Sequence, residues 1–312
     1  MASPQRWTKT NLGLAALALA AFESALIAWL WLGHPPEWFR VFFYNIVWWP
    51  HLALVETAAQ LLTGRSLLYQ NPRGFVWLCL ASTPFWTSFE ILNAVIHNWI
   101  YVGIPQNQFV RWAGYAISYA SVLPAIRVYM DLLNAVEPSP KNQASKPQRP
   151  RFLTPFSFAV GVIQFTLCVA HPGLFYPLAW SFPFFLTEPL VIAYAPERSY
   201  LLSWLNGRLN LTLKTLVAGF LAGITWEFLN WKSAAKWIYT IPSEAVIFKI
   251  FEMPVLGYIG FAAFALCAES FSNLVLSPEF ARRPGVRRLS FAAGAIASAL
   301  GFALIDLYIW KR

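Results

Sequence analysis

Two carboxylates stand inside apolar stretches of the chain, each with an amide three residues on: Glu90 with Asn93, and Glu227 with Asn230. On a helix that spacing puts acid and amide on one face. Each pair is followed by Trp-Ile-Tyr, at Trp99–Tyr101 and Trp237–Tyr239, and then by Ile104-Pro105 and Ile241-Pro242. Glu, Leu, Asn and Pro recur at one constant offset (Glu90/Glu227, Leu92/Leu229, Asn93/Asn230, Pro105/Pro242), and the Trp-Ile-Tyr is displaced by one residue more. Glu90 precedes Trp99 by nine residues, about 14 Å along a continuous helix. If Trp99 and Tyr101 mark a membrane interface, that depth is near the middle of a hydrocarbon core about 30 Å thick.

A carboxyl at such a depth is costly and marks a site by default. Ionised and alone it would not survive, so it must be protonated or paired. Two chemistries follow. A protonated Glu in an apolar pocket can give its proton to a substrate. The rings of Trp226, Trp231, Trp237 and Tyr239, and of Trp99 and Tyr101 in the first copy, can then stabilise a cation through their faces. Alternatively, the Glu donates to an Asn on a neighbouring helix and the pair is a structural clamp. Trp86 and His97 extend the face that carries Glu90 and Asn93. Glu252, in Phe251-Glu252-Met253-Pro254, opens a predicted helix, where an acid either complements the helix dipole or belongs to the site. The first copy has Phe109-Val110-Arg111-Trp112 there, so a single active centre would sit in the second. Candidate catalytic residues are therefore Glu227, Glu252 and Glu90, with Asn230 and Asn93 beside them.

These residues need a membrane-spanning scaffold. The 312 residues are 58% hydrophobic and 12% charged, with a mean hydropathy of +0.50. Several apolar runs exceed the roughly 18 residues that separate a spanning helix from a buried core helix. The expected fold is an all-α polytopic membrane protein. Nine spanning helices are predicted, near 10–33, 38–63, 74–101, 108–135, 152–171, 174–195, 209–231, 251–276 and 289–310. Residues 1–136 form a first four-helix repeat and 152–278 a second. The Pro-rich basic stretch 137–151 is a linker between them, and 279–312 hold a basic loop and a last helix rich in Ala and Gly. His34-Pro35 and His171-Pro172 close corresponding helices, and Gly114-Tyr115 matches Gly257-Tyr258.

The net charge of +9 resides in short loops between apolar runs, which argues for topology rather than nucleic acid. More Lys and Arg fall on one side if the N-terminus is cytoplasmic, as in a bacterial inner membrane. The first apolar run is too long for a signal-peptide core and reads as an uncleaved helix. Cys79, Cys168 and Cys267 lie far apart in apolar segments, without a CxxC. No HExxH, CxxCH, Walker or Gly-rich phosphate motif is present, so neither a metal nor a cofactor is expected. Other acids in apolar segments are Glu23, Glu56, Asp131, Glu188, Glu269 and Asp306. Glu188 aligns with His51, Asp131 is placed to pair with Arg127 one turn away, and Glu269 has no evident partner.

The order Trp226-Glu227, Trp237-Ile238-Tyr239, Phe251-Glu252-Met253-Pro254 resembles the lycopene cyclase domain of actinobacterial two-subunit enzymes and fungal bifunctional enzymes, a family also built from tandem copies. Where that family has paired acids beside a Pro, this chain has Glu252 and Pro254. The resemblance implies a membrane enzyme that protonates an apolar isoprenoid, with Glu227, Glu252 or Glu90 as the acid and the lipid bilayer as its surroundings. A proton-coupled transporter and a non-enzymatic scaffold with Glu–Asn clamps are the alternatives.

Overall fold

The computed structural model describes residues 8–136, 149–241 and 248–310. Most of the predicted linker, and Pro242, lie outside the described residues. The described residues are predominantly helical. In order come α1 (Lys9–Leu32), α2 (Glu37–Thr63), a short α3 (Leu67–Gln70), α4 (Pro72–Ile96), α5 (Gln108–Tyr119), α6 (Val122–Leu133), α7 (Leu153–Ala170), a short α8 (Pro172–Phe175), α9 (Phe182–Tyr194), α10 (Tyr200–Leu205), α11 (Asn210–Lys232), α12 (Tyr258–Val275), a short α13 (Pro278–Ala281) and α14 (Pro284–Leu304). Two small antiparallel ribbons complete it: β1 (Trp99–Val102) with β2 (Lys236–Tyr239), and β3 (Lys249–Ile250) with β4 (Met253–Pro254).

Among the described residues, seven helices are long and apolar enough to cross a membrane, counting α5 with α6 as one bent segment. Nine were expected. The two others are present in altered form. α2 runs for 27 residues, but its Trp, Tyr, Asn, His and Pro side chains keep it short of a span's apolarity. The stretch predicted at 174–195 is broken by Pro177 and Pro183 into the end of α8, a 3-10 turn at Tyr176–Trp180 and the 13-residue α9, because each Pro removes a backbone donor. Many large apolar side chains face outward, among them Leu14, Leu17 and Phe22 on α1, Phe156 and Ile163 on α7, and Ile296 and Leu300 on α14. Helices whose backbone is satisfied internally, with apolar outer faces, are what a bilayer accepts. The protein is an integral membrane protein of helical type.

α6 occupies the centre, packed by α2, α4, α11 and α12, with Leu123, Ala125, Ile126 and Val128 fully buried. Small residues allow close crossings. A methyl group at Gly219 or Gly223 of α11 would collide with Phe261 of α12, and one at Gly301 of α14 with Thr87 of α4. The Ala- and Gly-rich last helix thus lies close against α4.

Buried ions pair across helices. Arg127 bonds Glu269 at 2.6 Å and lies 3.6 Å from Asp131, which supplies the partner for Glu269 that sequence spacing left open. Glu188 accepts from Ser199, from Ser270 and from the Leu201 amide. Glu56 accepts in the same way from Ser66. Ser66 and Ser199 are both N-caps of short helices. In role, therefore, Glu188 corresponds to Glu56 rather than to His51.

Candidate functional site

The site is built from how α4 and α11 end. α4 stops at His97, whose φ of 53° places it in the left-handed region and turns the chain back. The Asn93 side chain then acts as a substitute peptide group. Its Oδ1 accepts from the amides of Asn98 (2.8 Å) and Trp99 (3.2 Å), and its Nδ2 donates to the Trp99 carbonyl at 2.8 Å. Asn230 on α11 does likewise for Trp237: Oδ1 accepts from the amide at 3.0 Å and Nδ2 donates to the carbonyl at 2.9 Å. Each Asn thereby fixes the first Trp of a strand over the helix end. Side chains i and i+2 of a strand share a face, so Trp and Tyr of each Trp-Ile-Tyr point the same way. Glu three residues before the Asn lies beneath them.

This geometry corrects three expectations. The Trp-Ile-Tyr segments form β1 and β2, so Trp99–Tyr101 is not the end of the helix predicted at 74–101. The two strands pair antiparallel, Trp99 opposite Tyr239 and Tyr101 opposite Trp237. The Asn residues do not bond the Glu residues; they bind backbone, so there is no Glu–Asn clamp, and neither Asn93 nor Asn230 reaches the cavity described below. Glu252 does not open a helix, since α12 starts at Tyr258. It sits at the β3–β4 turn and pairs with Lys236, because the positive φ of Phe251 and Pro254 favour a hairpin over a helical start.

Glu90 is fully buried and has a closed shell. Oε1 accepts from Trp86 Nε1 (2.7 Å), Tyr101 OH (2.6 Å) and Tyr119 OH (3.2 Å), and Oε2 from Trp99 Nε1 (3.2 Å). Glu227, equally buried, has an open one. Oε1 accepts from Trp237 Nε1 (3.0 Å) and Tyr239 OH (2.8 Å), whereas Oε2 has no partner. The cause is legible in the chain. Four residues before Glu90 stands Trp86, whose indole closes the shell; four residues before Glu227 stands Gly223, pressed against the Phe261 ring. The neighbouring Trp226 Nε1 is also buried without a partner.

Under the ribbon lies a cavity of about 470 Å³. Its wall includes Trp86, Trp99, Trp180, Trp226 and Trp237, and the tyrosines 44, 101, 115, 119 and 239. Of the predicted binding residues, Trp99, Tyr101, Trp226, Trp237 and Tyr239 line it. Trp231 does not: it turns outward, against Trp31 (5.5 Å) and Phe251 (5.4 Å). Glu90 and Glu227 lie one layer behind the wall, each touching it through Trp and Tyr donors. Both cations in the wall are paired. Lys236 bonds Glu252. Arg111 forks onto Asp306 through Nε (2.7 Å) and Nη2 (2.6 Å) and lies over the Trp310 ring at 4.1 Å.

Spacing alone missed Tyr44, Tyr119, Trp180 and the Arg111–Asp306 pair. Tyr119 and Trp180 carry no repeat signal, and Asp306 reaches Arg111 from the far end of the chain, where α14 runs into a π-helical turn at Ile305–Ile309. No family model matches the sequence, and no curated protein or solved structure is significantly similar to it.

Proposed function

We propose that this chain is an integral membrane enzyme that takes one end of a long apolar isoprenoid, such as an acyclic carotenoid, into the aromatic cavity and starts carbocation chemistry on it. The observation that carries the reading is the pairing of an aromatic, internally neutralised cavity with a buried carboxyl whose second oxygen is unengaged. The volume falls in the usual range for ligand pockets. The paired state of Arg111 and Lys236 favours an uncharged ligand.

In this reading Glu227 is protonated in the resting state, its proton on Oε1 and directed at the Tyr239 oxygen 2.8 Å away, so that the Tyr239 hydroxyl proton is free to face the cavity. The Tyr239 hydroxyl stands between it and the cavity. A proton passes from the Glu227–Tyr239 pair to a terminal alkene carbon, where the π electrons form the new C–H bond. The neighbouring carbon becomes cationic, and the faces of Trp226, Trp237 and Trp99 stabilise it. Attack by a second double bond closes a ring, and loss of a proton to the same pair restores the acid. The sum is an isomerisation, with nothing oxidised or reduced. Exclusion of water protects the cation from quenching. Glu90, with every oxygen satisfied, is better suited to hold the ribbon than to react, and Glu252 stabilises the cavity rim through Lys236.

The same reading completes the architecture. α2 and the α8–α9 segment cross with the seven apolar helices in two four-helix repeats and a final helix. The N-terminus is cytoplasmic, and the membrane is the inner membrane of a bacterium. The test is to express the chain in bacteria that accumulate an acyclic carotenoid and to chromatograph the extracted pigment. A new cyclised pigment that disappears in Glu227→Gln is expected. Unchanged pigment, with the protein folded in the membrane, overturns the reading.

A further inference from the structure

A second set of titratable groups lies on four helices away from the aromatic cavity. Glu23 of α1 contacts His51 of α2, Oε1 to Nδ1, at 2.9 Å. His51 Nε2 is 2.8 Å from the hydroxyl of Tyr129 on α6, and that hydroxyl is 2.8 Å from Thr225 Oγ1 on α11. Trp48 stacks on the imidazole, with ring centres 5.5 Å apart and planes within 18°, and fixes its orientation. None of these four residues lines the cavity.

Counting donors fixes the protons. Thr225 gives its single hydroxyl proton to the carbonyl of Leu221 at 3.0 Å, so it accepts from Tyr129. Tyr129 has then spent its own proton and accepts from His51, so Nε2 bears hydrogen. The contact between Nδ1 and Glu23 must hold one more proton. That proton is either on the imidazole, making an ion pair, or on the carboxyl, leaving both groups neutral. The two states differ only in where the proton sits along one hydrogen bond. Of the other ionisable groups on these helices, Glu56 accepts from Ser66, Arg127 pairs with Asp131 and with Glu269, and Glu227 accepts from Trp237 and Tyr239.

Location gives the arrangement its meaning. Glu23 follows Lys9 by fourteen residues and precedes Leu32 by nine, so it is about 21 Å from one end of α1 and about 14 Å from the other. Its side chain and that of His51 are 13% and 16% exposed, whereas Tyr129 is buried. The pair therefore lies at the outer edge of the helix bundle, with Tyr129 behind it in the interior. We infer that Glu23, His51, Tyr129 and Thr225 form an intramembrane proton-binding site that stores one exchangeable proton between Glu23 and His51. This inference does not rest on the cavity or on Glu227.

The decisive variant is Glu23→Gln. Its amide nitrogen can donate to Nδ1, which preserves every hydrogen bond of the chain while removing the mobile proton. The protein is purified in lipid nanodiscs with nitrogen-15 histidine, and His51 is assigned among the four histidines by its loss in His51→Gln. In wild type the Nδ1 signal should move with pH while Nε2 stays protonated, and one proton more should be released than from Glu23→Gln over the same range. In Glu23→Gln, Nδ1 should read as a bare acceptor throughout. Tyr129→Phe is the second variant. It keeps the Glu23 contact but removes the acceptor of Nε2, so the fixed tautomer should be lost. Equal proton release by wild type and Glu23→Gln, or an unprotonated Nε2 in wild type, overturns the inference.

Discussion

The ends of α4 and α11 use the same parts to different effect. Each has a Glu, an Asn that clamps a strand, and a Trp and a Tyr that the strand points back at the Glu. At Glu90 two further donors, Trp86 and Tyr119, complete the shell. At Glu227 glycine replaces the tryptophan, and one carboxyl oxygen is left bare in the interior. An orphaned buried acceptor costs about 1–3 kcal/mol. At Glu227 the chain leaves open a shell that it closes at Glu90. The lesson is that motif residues alone do not distinguish a saturated carboxyl from an open one; the residues around them do.

The comparison can be broken. The largest effect is expected for removal of the acids. Glu90→Ala strands four donors and should destabilise by about 3–5 kcal/mol, and Glu227→Ala, with two donors, by roughly half of that. Chemical unfolding in detergent micelles measures both, and equal losses would mean that the two shells are equivalent after all. Next come the clamps. Asn93→Ala removes three hydrogen bonds and Asn230→Ala two. At about 1 kcal/mol each, Asn93→Ala should be the costlier by one bond's worth. The isosteric pair sharpens the contrast further. Glu90→Gln must turn an amide N–H towards the Trp99 indole N–H, a loss of about 1–3 kcal/mol. Glu227→Gln puts its amide where Oε2 has no partner and should change stability by less than about 0.5 kcal/mol. A large loss in Glu227→Gln would show that Oε2 has a partner after all. The smallest effect is expected at the rim. Glu252→Gln weakens a half-buried pair with Lys236 and should cost no more than about 1 kcal/mol, read in the same unfolding experiment.

Much of this was legible in the sequence. The recurrence of Glu, Asn and Trp-Ile-Tyr located both helix ends, the i to i+3 spacing put Glu and Asn on one face, and hydropathy placed most of the helices. The strands were not legible. Trp-Ile-Tyr directly after an apolar helix fits helical and extended periodicity equally over so few residues, and only the left-handed turn at His97 decides it. The partner of each Asn was hidden for the same reason, since a peptide group offers a side-chain amide the same donors and acceptors as a carboxyl does. Glu252 misled because Pro is common both at helix starts and at hairpin ends. Long-range pairs such as Arg111 with Asp306 and Arg127 with Glu269 leave no local trace. The broken segment near Pro177 carried its signal in the prolines, which uniform apolarity masked.

The antiparallel pairing of β1 with β2 bears on how the protein is made. β1 leaves the ribosome long before β2 exists, and synthesis runs at about 5–20 residues per second, so β1 spends on the order of ten seconds as an unpaired edge. Edges of that kind attract wrong partners. Yet every donor to Glu90 comes from Trp86, Trp99, Tyr101 and Tyr119, all synthesised before the linker. The Glu90 shell can therefore form at once and hold β1 in place as a template. When β2 arrives it docks on a strand already in register, and the Glu227 shell takes its shape from that docking. The Glu90 shell is complete within the first half of the chain, whereas the Glu227 shell waits for β2.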